Sequence, residues 1–471
     1  MAIAGLAEGL TRGIEDLGAR VSGALFEPVI RLGVTGLARA GKTVFITALV
    51  ANLMDRARMG GLRAEAEGRI LAAHLQPQPD VTLPRFDYET HLAALTGPEP
   101  HWPESTRAVS ELRLSLRVRP GGMIGGLTGP RRVHLDIVDY PGEWLLDLAL
   151  LDQDYTAWSR AALARAEGRP EAAEWRAALG AADPAAPHDE ATAQRLARAY
   201  TGWLGAARAR GLADCTPGRF LLPGDLAGAP VVTFAPLPEA PGAGRRSLLA
   251  EMARRYEAYK REVVRPFFRA HFARIDRQIV LVDVLDAIHK GPQALDETRR
   301  AMAAILGAFR PGRNALLTQL LQGRRVERIL FAATKADHLH HSQHARLTAI
   351  MEALLREARD RADFAGAETR AMAIAALRAT VEEERAHGGR RLGMVRGRLE
   401  ATGRQAAFHP GELPEDPARL LAPARAGAER WLDAEFGAMR FAPARLNLRP
   451  GEGPPHIRLD RAAEFLIGDR L

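Results

Sequence analysis

Cysteine is almost missing from this 471-residue chain, in which Cys215 stands alone. One thiol excludes an intrachain disulfide framework and fits a reducing compartment. Long hydrophobic runs are missing too: no stretch approaches the ~20 apolar residues of a spanning helix. The N-terminus has no signal-peptide core, because Glu8, Arg12, Glu15 and Asp16 interrupt its apolar residues. Together these absences predict a cytoplasmic protein. Lysine is the other scarcity. Of 65 Lys and Arg residues, only Lys42, Lys260, Lys290 and Lys335 are lysine. Two of them fall in short stretches with nucleotide-binding character, which points to positions where a planar guanidinium will not serve.

What is present is ordinary for a globular protein: 47% hydrophobic and 26% charged residues, enough chain for two or more domains. The net charge of +8 is a small difference between 65 bases and 57 acids, and reads mainly as a solvated, arginine-rich surface. The pairs Arg131–Arg132 and Arg390–Arg391 lack interleaved aromatics, so no nucleic-acid partner is expected. Over 1–27, Leu6, Leu10, Ile14, Leu17, Val21 and Leu25 recur at helical spacing. An amphipathic helix packed on its own domain is the first reading. Docking to a membrane surface or a membrane-protein helix is the second, with the mixed polar face disfavouring a purely electrostatic anchor.

The order of elements predicts an α/β fold. "PVIRLGVTG" followed by "KTVFITALVANLM" reads as strand, loop and helix. "LPRFDYETHLAALTGPEPHWPESTR" is punctuated by proline and reads as a mostly loop-like connection. "SELRLSLRVRP" alternates, with Leu112, Leu114, Leu116 and Val118 inward and Arg113, Ser115, Arg117 and Arg119 outward. With "RRVHLDIVDYPG" it forms an antiparallel edge hairpin on a mostly parallel sheet. Five segments follow: an N-terminal helix (1–27), a first part of the nucleotide domain (28–150), a mainly helical insertion (151–275), a second part (276–380) and a C-terminal extension (381–471). The extension holds a hairpin around "GMVRGRLEATGRQAAFHPG".

Gly36 to Thr43, "GLARAGKT", matches the Walker A pattern G-x-x-x-x-G-K-[ST] between a strand and a helix. Its glycines let Ala38, Arg39, Ala40, Gly41 and Val44 aim backbone N–H groups at phosphate oxygens, aided by the helix N-terminus. Lys42 offers a compact ammonium to the β- and γ-phosphates, and the Thr43 hydroxyl suits Mg²⁺. Asp139-Tyr140-Pro141-Gly142 closes a neighbouring strand: Asp139 can hold Mg²⁺ and the Gly142 N–H can sense the γ-phosphate. Thr334-Lys335-Ala336-Asp337 ends a later strand. The Asp337 carboxylate can accept both guanine donors, N1–H and the exocyclic amine, which adenine does not present together. The Lys335 stem can lie along the purine. Backbone N–H groups around Ala375, Ala376 and Leu377 can reach the guanine carbonyl.

These residues resemble the TRAFAC-type GTPases. The fuller set, including "GLARAGKTVFITALV", "LPRFDY", "DYPGEWLLDL", "FLLPGDLAGAPVVTF", "FAATKADH", "FHPGELPEDP" and "GEGPPHIRLDRAAEFLIGDRL", resembles the YcjX-like family of bacterial P-loop proteins. The resemblance covers nearly the whole chain beyond the N-terminal helix. It implies a phosphate-loop (P-loop) NTPase sheet and a Mg²⁺-dependent protein that binds GTP and GDP in the bacterial cytoplasm, with a role in stress responses; the amphipathic N-terminal segment adds the periphery of the inner membrane as a second location. Relative to the N-K-x-D usual in TRAFAC-type GTPases, Thr334 stands in place of asparagine, which bears on how the base loop is tethered.

In small GTPases a glutamine follows D-x-x-G, and here that position is Glu143. It is read either as a water-positioning acceptor or as an exposed glutamate at a helix start. Thr106 stands where the switch threonine precedes the antiparallel strand, with Thr82 and Thr90 as competitors for the Mg²⁺ ligand. Arg107 beside it is a candidate cis arginine finger. Slow hydrolysis stimulated by a partner is therefore expected, with the insertion meeting a protein effector. A nucleotide-gated scaffold with negligible hydrolysis is the alternative. "DHLHHSQH" gathers His338, His340, His341 and His344, which read first as solvated histidines and second as a metal site.

Overall fold

Strand β1 (Val29–Gly36) is buried along most of its length, because strands flank it on both sides and side chains pack on both faces. The structure, a computed structural model, describes residues 27–37, 39–104, 108–121, 129–210, 216–270, 274–307, 326–364, 367–428 and 436–471. The N-terminal helix expected over 1–27 therefore lies outside the described residues apart from Glu27, as do Ala38, Thr106 and Arg107.

Seven strands form the central sheet: β1, β2 (Ile70–Gln76), β3 (Ser110–Val118), β4 (Arg131–Asp139), β5 (Arg277–Val282), β6 (Arg328–Ala333) and β7 (Glu368–Ala373). Their order is β2-β3-β4-β1-β5-β6-β7. Only β3 runs against its neighbours; all pairs from β4 to β7 are parallel. The mostly parallel α/β architecture and the antiparallel β3–β4 pair are as the sequence predicts.

One strand beyond that pair escapes the sequence reading. β2 covers the outer edge of β3, and its mainly exposed face gives "ILAAHLQ" no strand periodicity. Its presence makes β3 internal; the alternation of faces holds, but the face opposite the leucines is not wet throughout. Ser115 is fully buried and shares a 2.7 Å hydrogen bond with His134. Arg113 reaches across the pair to grip the buried Asp136 with two hydrogen bonds of 2.6 and 2.8 Å. A buried carboxylate needs such a bidentate partner. The stretch expected to be loop-like also contains a helix, Tyr88–Thr96, whose first turn is capped by the Asp87 carboxylate accepting from the Thr90 N–H.

Helices line the two faces differently. On one face the helix Lys42–Met54 is buried nearly all round, since the C-terminal helix Leu459–Ile467 joins the same core. Asn52 fixes that approach by donating to the Pro454 carbonyl at 3.0 Å. On the other face stand the helices of the insertion, Tyr155–Ala166, Ala173–Gly180, Glu190–Ala209 and Leu248–Tyr259. Their core is aromatic: Trp158 stacks on Tyr256 at 5.0 Å, and Trp175 on Trp203 at 5.2 Å. In the C-terminal part, β8 (Thr380–His387) adds a third strand to the expected hairpin of β9 (Arg390–Arg398) and β10 (Gln405–Phe408). Among the described residues no helix is long and apolar enough to cross a membrane.

Candidate functional site

The sheet registers place the ends of five strands, β4, β1, β5, β6 and β7, along one edge. Val34 lies opposite Asp139, Gly36 opposite Leu281, Val282 opposite Ala333, and Ala333 opposite Ala373. The three sequence motifs leave the sheet at this common edge. Ligands of open parallel sheets bind in the crevice beyond such strand ends.

The loop after β1 turns sharply. Arg39 and Gly41 both adopt the left-handed conformation, with φ of 62° and 85°, and the helix Lys42–Met54 starts at once. Left-handed residues of this kind fold successive N–H groups into an anion-binding concavity. No atom lies within 4 Å of where a Gly41 Cβ would stand, so the loop is open there. Lys42 is half-buried and folds back, its ammonium donating to the Gly36 carbonyl at 3.3 Å. That contact holds the charge over the loop. Thr43 is buried in the first helical turn, followed by the half-buried Val44.

The second motif touches the first. A Cβ on Gly142 would come within 2.1 Å of the Gly36 carbonyl oxygen, so only glycine permits this approach. Asp139 is buried at the end of β4. A threonine hydroxyl and a carboxylate on adjacent elements are hard oxygen donors of the type Mg²⁺ takes. Thr43 and Asp139 thus suit the ion that the resemblance implies.

Glu143 is not the exposed residue of the blander sequence reading. It is 4% exposed and lies 2.7 Å from the guanidinium of Arg208, at the C-terminal end of Glu190–Ala209. The insertion presses on this short helix, Gly142–Leu146, elsewhere too. The Gly218 backbone abuts the Glu143 carbonyl, and Arg219 stacks over the Trp144 ring at 3.3 Å. Sequence reading missed Arg208, since one arginine among so many carries no local signal.

Just beyond, burial pushes the Asp147 carboxyl up to about 6, although Tyr259 and the Gly218 N–H donate to it and partly offset the shift. A raised folded-state value means that the native chain keeps a proton which the unfolded chain has released. Stability contributed by this group is therefore present at low pH and falls as pH rises through roughly 4 to 6, by at most ~3 kcal/mol. Denaturant unfolding of wild type and Asp147→Asn should show their stability difference shift across that window and stay level above it. A difference that is flat from pH 4.5 to 7 contradicts the assignment.

At the third motif, the Thr334 N–H donates to the Val282 carbonyl at 2.9 Å and its hydroxyl to the same oxygen at 3.3 Å. Thr334 thus ties this loop back to β5. Lys335 is left-handed, φ 59°, and its ammonium pairs with Asp283. Burial pulls the Lys335 ammonium down, but the Asp283 carboxylate more than reverses this, so it is held above the ordinary lysine value. Asp337 is 4% exposed; its Oδ2 accepts from the Ala379 N–H at 2.9 Å, and its carbonyl from the Thr380 hydroxyl. Asp283, Ala379 and Thr380 are supporting residues that sequence reading missed. The Ala375 N–H is engaged with the Ile457 carbonyl at 3.0 Å, while Ala376 and Leu377 follow in a bend.

A polar cavity of about 310 Å³ lined by Arg31, Asp80, Glu111 and Arg274 includes no residue of the three motifs. The three motifs lie apart from it, at the strand ends.

Residues 30–471 match the YcjX-like family, DUF463. The chain belongs to this family. It is 40% identical over 456 residues to a protein of Escherichia coli (strain K12) named "Ras-like GTPase YcjX", covering 94% of this chain and 96% of the relative. A protein of Shewanella oneidensis (strain MR-1) with the same name is 36% identical over 477 residues, covering 94% of each. These matches agree with the family resemblance read from the motifs.

Proposed function

We propose that this YcjX-like protein is a guanine-nucleotide switch that binds GTP and hydrolyses it slowly to GDP. One observation carries the reading: the phosphate loop, the Asp139–Gly142 turn and the Thr334–Asp337 loop leave one sheet edge in register. The naming of its relatives as Ras-like GTPases supports it. In this reading, backbone N–H groups of the loop from Gly36, with Lys42, hold the phosphates, and Asp337 selects guanine. Thr43 and Asp139, with Thr106 as the switch ligand, would hold Mg²⁺, which when bound would supply charge neutralisation at the β- and γ-phosphates.

The switch reading rests on what surrounds Gly142. Its N–H is the γ-phosphate sensor, and the next residue, Glu143, is gripped by Arg208 of the insertion. Any shift of Gly142 with nucleotide state is thereby passed to the helices that we assign to an effector. The same ion pair keeps Glu143 from orienting water, which suits a slow reaction that a partner accelerates, with Arg107 available to neutralise transition-state charge. The family resemblance further leads us to place the switch in the bacterial cytoplasm, at or near the inner membrane, during stress.

A scaffold that binds GTP with negligible hydrolysis is the second reading, favoured by a carboxylate at the position of the usual glutamine. Single-turnover release of γ-phosphate separates the two. Slow release above the protein-free blank, with the rate changed in Arg208→Ala, supports the GTPase. Release no faster than the blank from a protein with bound GTP supports the scaffold.

A further inference from the structure

The histidines of "DHLHHSQH" are not absorbed by the nucleotide site, and the fold sorts them. His344 is buried and its Nε2 bonds the Ala336 and Leu339 carbonyls at 2.8 and 3.3 Å, so it pins the chain. His338 meets the Phe441 ring edge-on. His340 and His341 behave differently: their rings lie 4.2 Å apart and both turn toward Glu382 of β8.

We propose that His340, His341 and Glu382 form a binding site for a zinc-class transition-metal dication. His341 Nδ1 lies 2.6 Å and His340 Nε2 3.8 Å from the same carboxylate oxygen, Glu382 Oε2. One ligand atom from each residue falls within 4.8 Å of the others. A tetrahedral zinc with N and O ligands at ~2.0–2.2 Å has edges of roughly 3.3 Å. The observed 3.8 Å exceeds that edge by about 0.5 Å, and the 2.6 Å, a hydrogen-bond distance, falls about 0.7 Å short of it. The exposed His341 can supply the adjustment, since 68% of its side chain is free to solvent.

The surroundings are those of a built site. His340 is buried, and its Nδ1 is bonded to the Ser342 hydroxyl at 2.9 Å, which leaves Nε2 as its ligand atom. This hydroxyl, with the Ser342 N–H at 3.5 Å from the same nitrogen, fixes the orientation of the ring. Gly393 of β9 closes against the same ring, where a Cβ would come within 2.6 Å. The other Glu382 oxygen faces Arg378 at 3.4 Å, so Oε2 remains directed at the two imidazoles. Two rings converging on one carboxylate oxygen compete for it as hydrogen-bond donors. A dication between them satisfies all three groups and leaves a fourth position for water.

The test uses the full chain, stripped with EDTA and titrated with Zn²⁺ against a chromophoric chelator, with Co²⁺ as spectroscopic probe. Wild type should take up one metal per chain and give visible Co²⁺ bands of low-coordinate nitrogen–oxygen ligation. His341→Ala, which alters an exposed residue, and Glu382→Gln should each weaken uptake at least ~10-fold, and Ser342→Ala by ~10-fold or more as an outer-partner loss. Circular dichroism checks that each variant is folded. No stoichiometric uptake by wild type, or uptake that folded His341→Ala or Glu382→Gln leaves intact, overturns the site.

Discussion

Lys42→Ala should bind GDP and GTP at least ~10²-fold more weakly than wild type, because about 3 kcal/mol or more is lost when a charged hydrogen-bond donor leaves a phosphate site. The ammonium is already folded over the loop by its bond to the Gly36 carbonyl, so little conformational entropy opposes its contact with phosphate. Truncation removes the charge and leaves the N–H concavity to hold the phosphates alone. Lys42→Arg should not rescue, since a planar fork cannot take the same bend. Isothermal titration with each nucleotide checks this. Equal affinities for variant and wild type remove Lys42 from the phosphate site.

Asp337→Asn should lose GTP affinity by ~10²–10³-fold and gain affinity for xanthosine triphosphate, the scale expected when paired hydrogen bonds to a charged acceptor are lost. The direction follows from the Ala379 contact. That N–H donates to Oδ2 and will select the carbonyl oxygen of the new amide. The amide NH₂ is then turned toward the base, where it opposes the guanine donors and matches the xanthine carbonyl. Competition of both triphosphates against a fluorescent analogue reads the exchange. An Asp337→Asn variant that keeps its preference for GTP contradicts the base assignment.

Local signals made much of this molecule legible. A glycine-framed lysine between strand and helix, and carboxylates at strand ends, are short patterns with one physical purpose, and the fold gathers all three motifs. Lysine scarcity drew attention to Lys42, which folds back onto the Gly36 carbonyl, and to the left-handed Lys335. Lys260 has a different cause: it is buried, donates to the Gln153 carbonyl at 2.8 Å and lies over the Tyr256 ring. Lys290 simply pairs with Asp286 one helical turn away.

What stayed hidden depends on contacts between distant segments. Asp283 is 52 residues from Lys335, and Ala379 is 42 from Asp337. Neither has a sequence signature until the sheet is assembled. Ser115 lies on the face opposite the leucines as alternation implies, but that face is not wet there, because His134 bonds and covers it. Glu143 showed its departure from glutamine in the sequence, yet only the packed insertion reveals that Arg208 holds it.

The central claim is that residues around Gly41, Asp139 and Asp337 together hold one guanine nucleotide. Calorimetric titration of wild type with GDP and ADP, with and without Mg²⁺, tests it most directly. The account predicts one GDP per chain and ADP binding weaker by at least ~10²-fold, the discrimination expected of a site that bonds guanine's own donors. Equal binding of both nucleotides, or binding of neither, would contradict it.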